Sequence, residues 1–183
     1  MNNTPKLSRT TISLHWLVAI FMIGLASIGL IMKYWEVWAL YPIHKSLGVL
    51  ALLIILPRVI WRLKKGWPKP ARKGQAYEQI LAKVTHWVLI SATLIMPLSG
   101  MILSWGSGHG FGIFGLNVVP TNHSSINPEE VVPYSETFAN IGYILHPWVG
   151  YLLVGAVVLH VLGAIKHHVY DKDATFKRII GKN

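Results

Sequence analysis

The sequence predicts an all-α integral membrane protein: a four-helix up-down bundle with both termini in the cytoplasm and residues 1–183 forming one domain. Three observations carry the prediction. Four apolar segments are each long enough to cross the hydrocarbon core, which needs about 20 residues of helix. Charged residues make up only 13% of the chain against 52% hydrophobic ones, well under the roughly 25% charged fraction of soluble domains. Seventeen Lys and Arg stand against seven Asp and Glu, and nearly all the cations flank the apolar segments rather than interrupt them.

The first span covers about residues 12–32, with His15 its only ionisable group. It is too long for a signal-peptide core and lacks a small-residue cleavage site, so it is expected to be retained. The second covers about residues 43–63, opening on His44-Lys45 and closing with Arg58 and Arg62. The third, about residues 84–105, contains His86 and no formal charge. The fourth, about residues 140–165, contains His146 and His160 and again no formal charge. Internal repeats and low-complexity tracts are not evident.

The cations orient the bundle. Lys6 and Arg9 precede the first span. Arg58, Arg62, Lys64, Lys65, Lys69, Arg72, Lys73 and Lys83 lie around the connection between the second and third. Lys166, Lys172, Lys177, Arg178 and Lys182 follow the fourth. With alternating helices, fifteen of the seventeen cations fall on one side, leaving only Lys33 and Lys45 on the other. The positive-inside rule places the crowded side in the cytoplasm. A formal charge of +10 on a soluble chain would suggest nucleic acid, but cations confined to one set of loops argue for a membrane and against a nucleic-acid partner.

Aromatic residues follow the same boundaries. Trp16, Trp61, Trp67 and Trp87 cluster toward the inner interface, and Tyr34, Trp35, Trp38, Tyr41, Trp105 and Trp148 toward the outer one, as expected of amphipathic rings anchoring at headgroup depth. The outer loop, residues 106–139, begins with five glycines between Gly106 and Gly115 and then turns polar. It reads as irregular surface structure.

The absence of cysteine excludes disulfides, thiolate metal sites and iron–sulfur clusters. Nine histidines are present, and ionisable groups inside spans read as functional by default. The structural alternative is a neutral imidazole hydrogen-bonding a neighbouring helix. His146 and His160 are 14 residues apart, roughly 21 Å along a helix and about 40° in azimuth. They share one face at two depths. In an up-down bundle His44 is level with His146, and His15 is in the depth range of His160. Two imidazoles facing each other across a bundle can ligate a haem iron from both sides.

Small residues accompany these positions: Gly142 and Gly150 flank His146, Ala156 and Ala164 flank His160 with Gly163 nearby, Gly48 follows His44 and Ala19 follows His15. They suit a flat porphyrin edge along the helix, and equally suit close packing of bare helices. Arg58 follows His44 by the same 14 residues, which places it on the His44 face at the inner level. There it would pair with a haem propionate or snorkel to the inner surface.

Other metal chemistries lack their donors. The spans contain no Asp or Glu, so a carboxylate-bridged di-iron site has no ligands, and no HExxH motif is present. His167 lies seven residues beyond His160, on nearly the same face, within reach of a bound molecule or solvated with His168. His109 and His123 fall in the outer loop and receive no role. A haem-free transporter or a structural tetraspan is the alternative class, for which Pro57 and Pro97 would mark breaks in the second and third helices.

Taken in order, these residues resemble the prokaryotic cytochrome b561 family, the four-helix di-haem b-type cytochromes of the bacterial inner membrane. The resemblance covers nearly the whole chain. It rests on Ser13-Leu14-His15-Trp16, on Ile43-His44-Lys45-Ser46-Leu47-Gly48 with Arg58, and on Thr85-His86-Trp87. It continues in His146, His160 and the run from Lys166-His167-His168 to Asp173.

The resemblance implies two haem b groups, the inner held by His15 and His160 and the outer by His44 and His146. It also implies that His86 and His167 help form a site for ubiquinone. Similar proteins include a superoxide oxidase that passes electrons from periplasmic superoxide through both haems to ubiquinone. Lys45, beside His44, would then give a positive mouth to the outer haem. A cytochrome b subunit serving a periplasmic redox protein is the alternative. The outer side departs from the superoxide expectation, since Lys33 and Lys45 face Glu36, Glu129, Glu130 and Glu136, whereas steering an anion favours a cationic surface.

Overall fold

The computed structural model describes residues 6–68, 70–71 and 74–182. Lys69, Arg72 and Lys73, counted above among the orienting cations, lie outside the described residues. Four long helices dominate: α1 (Arg9–Trp35), α2 (Tyr41–Lys65), α3 (Ala76–Gly106) and α4 (Glu136–Val169). All four are long and apolar enough to cross a membrane. Each extends past the predicted span because polar and aromatic residues continue the helix through the interfacial layers.

Local chemistry sets the boundaries. Ser8 caps α1 by accepting from the Thr11 amide at 3.2 Å, a bond typically worth about 1 kcal/mol. Glu36 ends that helix in the left-handed region, at φ 54°. A capping box starts α3, with Glu78 accepting from the Gln75 amide at 3.1 Å. The other oxygen of Glu78 meets Lys166 Nζ of α4 at 2.8 Å, so one carboxylate both starts α3 and ties it to α4. Contrary to the expectation of breaks, α2 and α3 run without interruption through Pro57 and Pro97. Packing against neighbouring helices holds them through the lost backbone bonds.

The helices form two closely packed pairs, α1 with α2 and α3 with α4, joined through α2 and α3, while α1 and α4 touch sparsely. The tightest packing lies midway along the bundle, where Ala51, Ile55, Ala92 and Leu153 are nearly sealed from solvent. N- and C-terminal segments meet at one end: Trp16 Nε1 donates to the Ile179 carbonyl at 2.9 Å. Ile179 belongs to a short helix, α5 (Thr175–Ile179).

The outer loop is more ordered than its composition suggests. Phe111–Ile113 (β1) and Leu116–Val119 (β2) pair as an antiparallel hairpin, corrected from the irregular structure expected. Its two-residue turn holds Phe114 at φ 42° and Gly115 at φ 93°, the positive dihedrals of a primed hairpin turn. Phenylalanine is an uncommon residue at such a position, so no turn signature is visible in the sequence. The hairpin rests on the start of α2. The Phe114 amide donates to Ser46 Oγ at 3.1 Å, and Lys45 Nζ donates to the carbonyls of His109 and Gly110 at 3.3 and 3.1 Å.

Candidate functional site

Five histidines project from the four long helices into the bundle at two levels, called outer and inner after the orientation the cations predict. At the outer level His44 of α2 faces His146 of α4, ring centres 6.2 Å apart and planes at 82°. At the inner level His15 of α1 faces His160 of α4, ring centres 6.1 Å apart and planes at 56°. The sequence expectation that each α4 histidine has a counterpart at its own height is met in position. His86 of α3 joins the inner group, 5.3 Å from His160 at 71°, with Trp67 5.3 Å from its other side.

The outer pair borders a narrow apolar cavity of about 30 Å³. Its walls include Met22, Leu25, Gly48, Ala51, Met96 and Leu153. His146 Nδ1 lies 3.0 Å from Ser99 Oγ and 3.2 Å from the Met96 carbonyl. A carbonyl only accepts, so this contact puts the ring hydrogen on Nδ1 and leaves Nε2 with its lone pair. His44 Nδ1 is buried with no hydrogen-bond partner.

Two glycines on neighbouring helices give these rings their room. A Cβ on Gly100 would lie 3.0 Å from His146 Cε1, and one on Gly29 would lie 3.4 Å from His44 Cε1. The glycines singled out from the sequence behave differently. Gly142 is pressed against the Leu103 backbone, where a Cβ would come within 2.5 Å, and Gly150 abuts Met96. These two serve helix packing between α3 and α4. Gly48 has open space beside it and lines the cavity.

At the inner level Arg58 occupies the predicted height, and its Nη2 lies 3.2 Å from His15 Nδ1. Further toward the inner end, His167 Nδ1 contacts Asp173 at 2.8 Å and Asp171 at 3.2 Å. Lys166 bridges Asp171 and Glu78. Burial acts to raise the Asp173 carboxyl, but hydrogen bonds from Thr175 and His167 outweigh it and hold the group below its ordinary range. His168 packs its ring 5.0 Å from Phe176. At the outer end the His109 ring meets Tyr41 edge-on at 6.4 Å, and His123 forms a bridge with Val131.

The ring spacing of both facing pairs suits metal coordination. Two imidazole nitrogens each about 2 Å from one ion, with the ring centre roughly 1 Å behind the nitrogen, put the ring centres about 6 Å apart. The observed 6.2 and 6.1 Å match this. His86 and His160, at 5.3 Å edge to face, are two rings in direct contact instead. Paired imidazoles, the apolar wall of the outer pair and no carboxylate within the spans suit a bis-histidine haem rather than a hydrated divalent cation.

Helices of membrane-spanning length carrying paired imidazoles define a membrane-bound haem protein of the electron-transfer class. The chain belongs to the prokaryotic cytochrome b561 family, whose sequence model matches residues 6–182. Cytochrome b561 homolog 2 of Escherichia coli K12 is 29% identical, over 99% of this chain and 95% of that protein. Probable superoxide oxidase CybB of Yersinia pestis is 26% identical over 97% of each chain. Cytochrome b561 homolog 1 of Escherichia coli K12 is 26% identical over 96% of this chain and 97% of its own. The protein is therefore a multi-pass bacterial membrane protein of electron transport, in a family that binds b-type haem.

Proposed function

We propose that this cytochrome binds two haem b groups and conducts electrons across the inner membrane, from a periplasmic donor to ubiquinone. The termini and the cation-rich loops lie on the cytoplasmic side. His44 and His146 hold the outer haem, and His15 and His160 the inner. The observation that carries the reading is the pair of imidazole spacings, equal to within 0.1 Å at two levels of one helix. When bound, haem supplies the one-electron redox chemistry, while the protein sets position, potential and access.

The residues around each pair divide the remaining tasks. Leu153, Ile55 and Ala51 exclude water between the two levels. Arg58 places a positive charge beside the inner pair and is available to a propionate. His86, with Trp67 against it, and His167, held by Asp171 and Asp173, stand on the inner side where ubiquinone is reduced and protons are taken up. Lys45 keeps a positive charge next to His44.

Superoxide is the proposed donor, supported by the name of the Yersinia relative. A periplasmic redox protein is a second reading, favoured by one observation. Lys33 donates to Tyr151 Oη at 2.6 Å and Lys45 to two loop carbonyls, so both cations of the outer side are engaged, and four glutamates share that side with them. Purified protein assayed for superoxide-dependent reduction of ubiquinone decides between them. Turnover is expected; absence of turnover, with salt-sensitive reduction by a cationic redox protein, establishes the second reading. A reduced-minus-oxidised spectrum without b-type bands after haem-replete expression removes both.

A further inference from the structure

One ring nitrogen of His146, Nδ1, is held between two oxygens on α3, and one of them is a side chain. Ser99 is 1% exposed, within α3. Its Oγ donates to the Met96 carbonyl at 2.8 Å and lies 3.0 Å from His146 Nδ1. The Met96 carbonyl lies 3.2 Å from the same nitrogen. With the hydroxyl hydrogen directed at the carbonyl, the serine lone pairs face the imidazole N–H, so that hydrogen is shared between two acceptors.

Backbone satisfaction accounts for only part of this. A serine or threonine hydroxyl inside a helix commonly bonds back to the preceding turn, and Thr93 does so in the same helix, donating to the Ile90 carbonyl at 3.0 Å. Thr93 has no histidine partner among the described contacts. The Ser99 hydroxyl has one, on another helix, and Gly100 beside it leaves the space the ring occupies.

We infer that Ser99 is a positioning residue for the outer haem: with the His146 tautomer set by the Met96 carbonyl, its hydroxyl fixes the ring plane of His146 and raises the electron density the imidazole offers to iron. The inference rests on the proposed ligation by His146. An acceptor at the outer nitrogen makes the ligating nitrogen more basic, which favours the ferric state and lowers the potential. Ser99 therefore sets the outer haem below the value the same imidazole would give with the Met96 carbonyl alone.

The test uses the full-length protein, purified from haem-replete cells, in three variants. His146→Ala identifies the outer haem as the one it lacks; if it keeps both, the ligation reading fails and this inference falls with it. With His146 established, Ser99→Ala is expected to keep two haems. The outer midpoint then moves upward and the ferric resonance signal of that haem shifts, while the inner haem stays unmoved. Ser99→Thr restores both readouts. Titration curves and resonance signals of Ser99→Ala that superimpose on the parent overturn the inference, as do equal shifts of both haems. Should Ser99→Ala lose the outer haem, its retention by Ser99→Thr supports the hydroxyl's role, and its loss there too overturns it.

Discussion

The two histidine pairs share a spacing and differ in what surrounds them. Both have ring centres close to 6 Å apart, at 6.2 Å outside and 6.1 Å inside. Outside, the free nitrogen of His146 meets acceptors, Ser99 Oγ and the Met96 carbonyl. Inside, His15 Nδ1 meets the guanidinium of Arg58, which has hydrogens to give and no lone pair to offer. The outer contact leaves Nε2 bare, ready for a metal. The inner contact puts the lone pair on Nδ1 and the ring hydrogen on Nε2, so ligation through Nε2 requires Arg58 to withdraw to another acceptor. Equal spacing thus conceals one site set for ligation and another that must exchange a partner first.

Removing one imidazole from each level is the strongest way to break this comparison. His146→Ala is expected to abolish the outer haem alone and His160→Ala the inner alone, each halving the haem-to-protein ratio in a pyridine haemochrome assay. Two haems with unchanged spectra in either variant would dissolve the pairing.

A smaller, site-selective effect is expected from the glycines. Gly100→Ala pushes on the His146 ring, 3.0 Å from the new Cβ, and should lower outer haem occupancy while the inner haem stays. Gly142→Ala meets the Leu103 backbone instead. It should lower the thermal midpoint by several degrees, equivalent to about 1–3 kcal/mol of overpacking, without favouring either haem. Equal losses of both haems from Gly100→Ala would remove the distinction.

The smallest expected effect sharpens the contrast in charge. Arg58→Leu should lower the inner midpoint potential and leave the outer one in place, because a nearby cation favours the reduced, less positive iron. Potentiometric titration reads both values in one experiment, and an unmoved inner midpoint would place the guanidinium outside that site's influence.

The sequence revealed heights better than neighbours. A 14-residue offset on one helix and alternating topology are enough to level His44 with His146 and His15 with His160, and the same offset put Arg58 beside the inner group. Those inferences need only helical geometry. Azimuthal facing between helices is another matter. Gly142 and Gly150 suit a porphyrin edge and close helix packing equally in the sequence, and only the structure shows that they serve the α3–α4 contact. Gly29 and Gly100, which do flank imidazoles, lie on helices whose rotation no single sequence specifies. Ser99 was invisible for the same reason, being one hydroxyl on an apolar helix with nothing to show which ring it meets. The outer hairpin went unseen because Phe114 occupies a turn position where Asn, Asp or Gly would have announced it.

Lys45 and Ser46, the two residues after His44, are also the two that fasten the hairpin. The opening turns of α2 therefore aim an imidazole into the bundle and hold the hairpin from the other side. Exchanging the hairpin for a relative's version would require this anchoring pair to be exchanged with it.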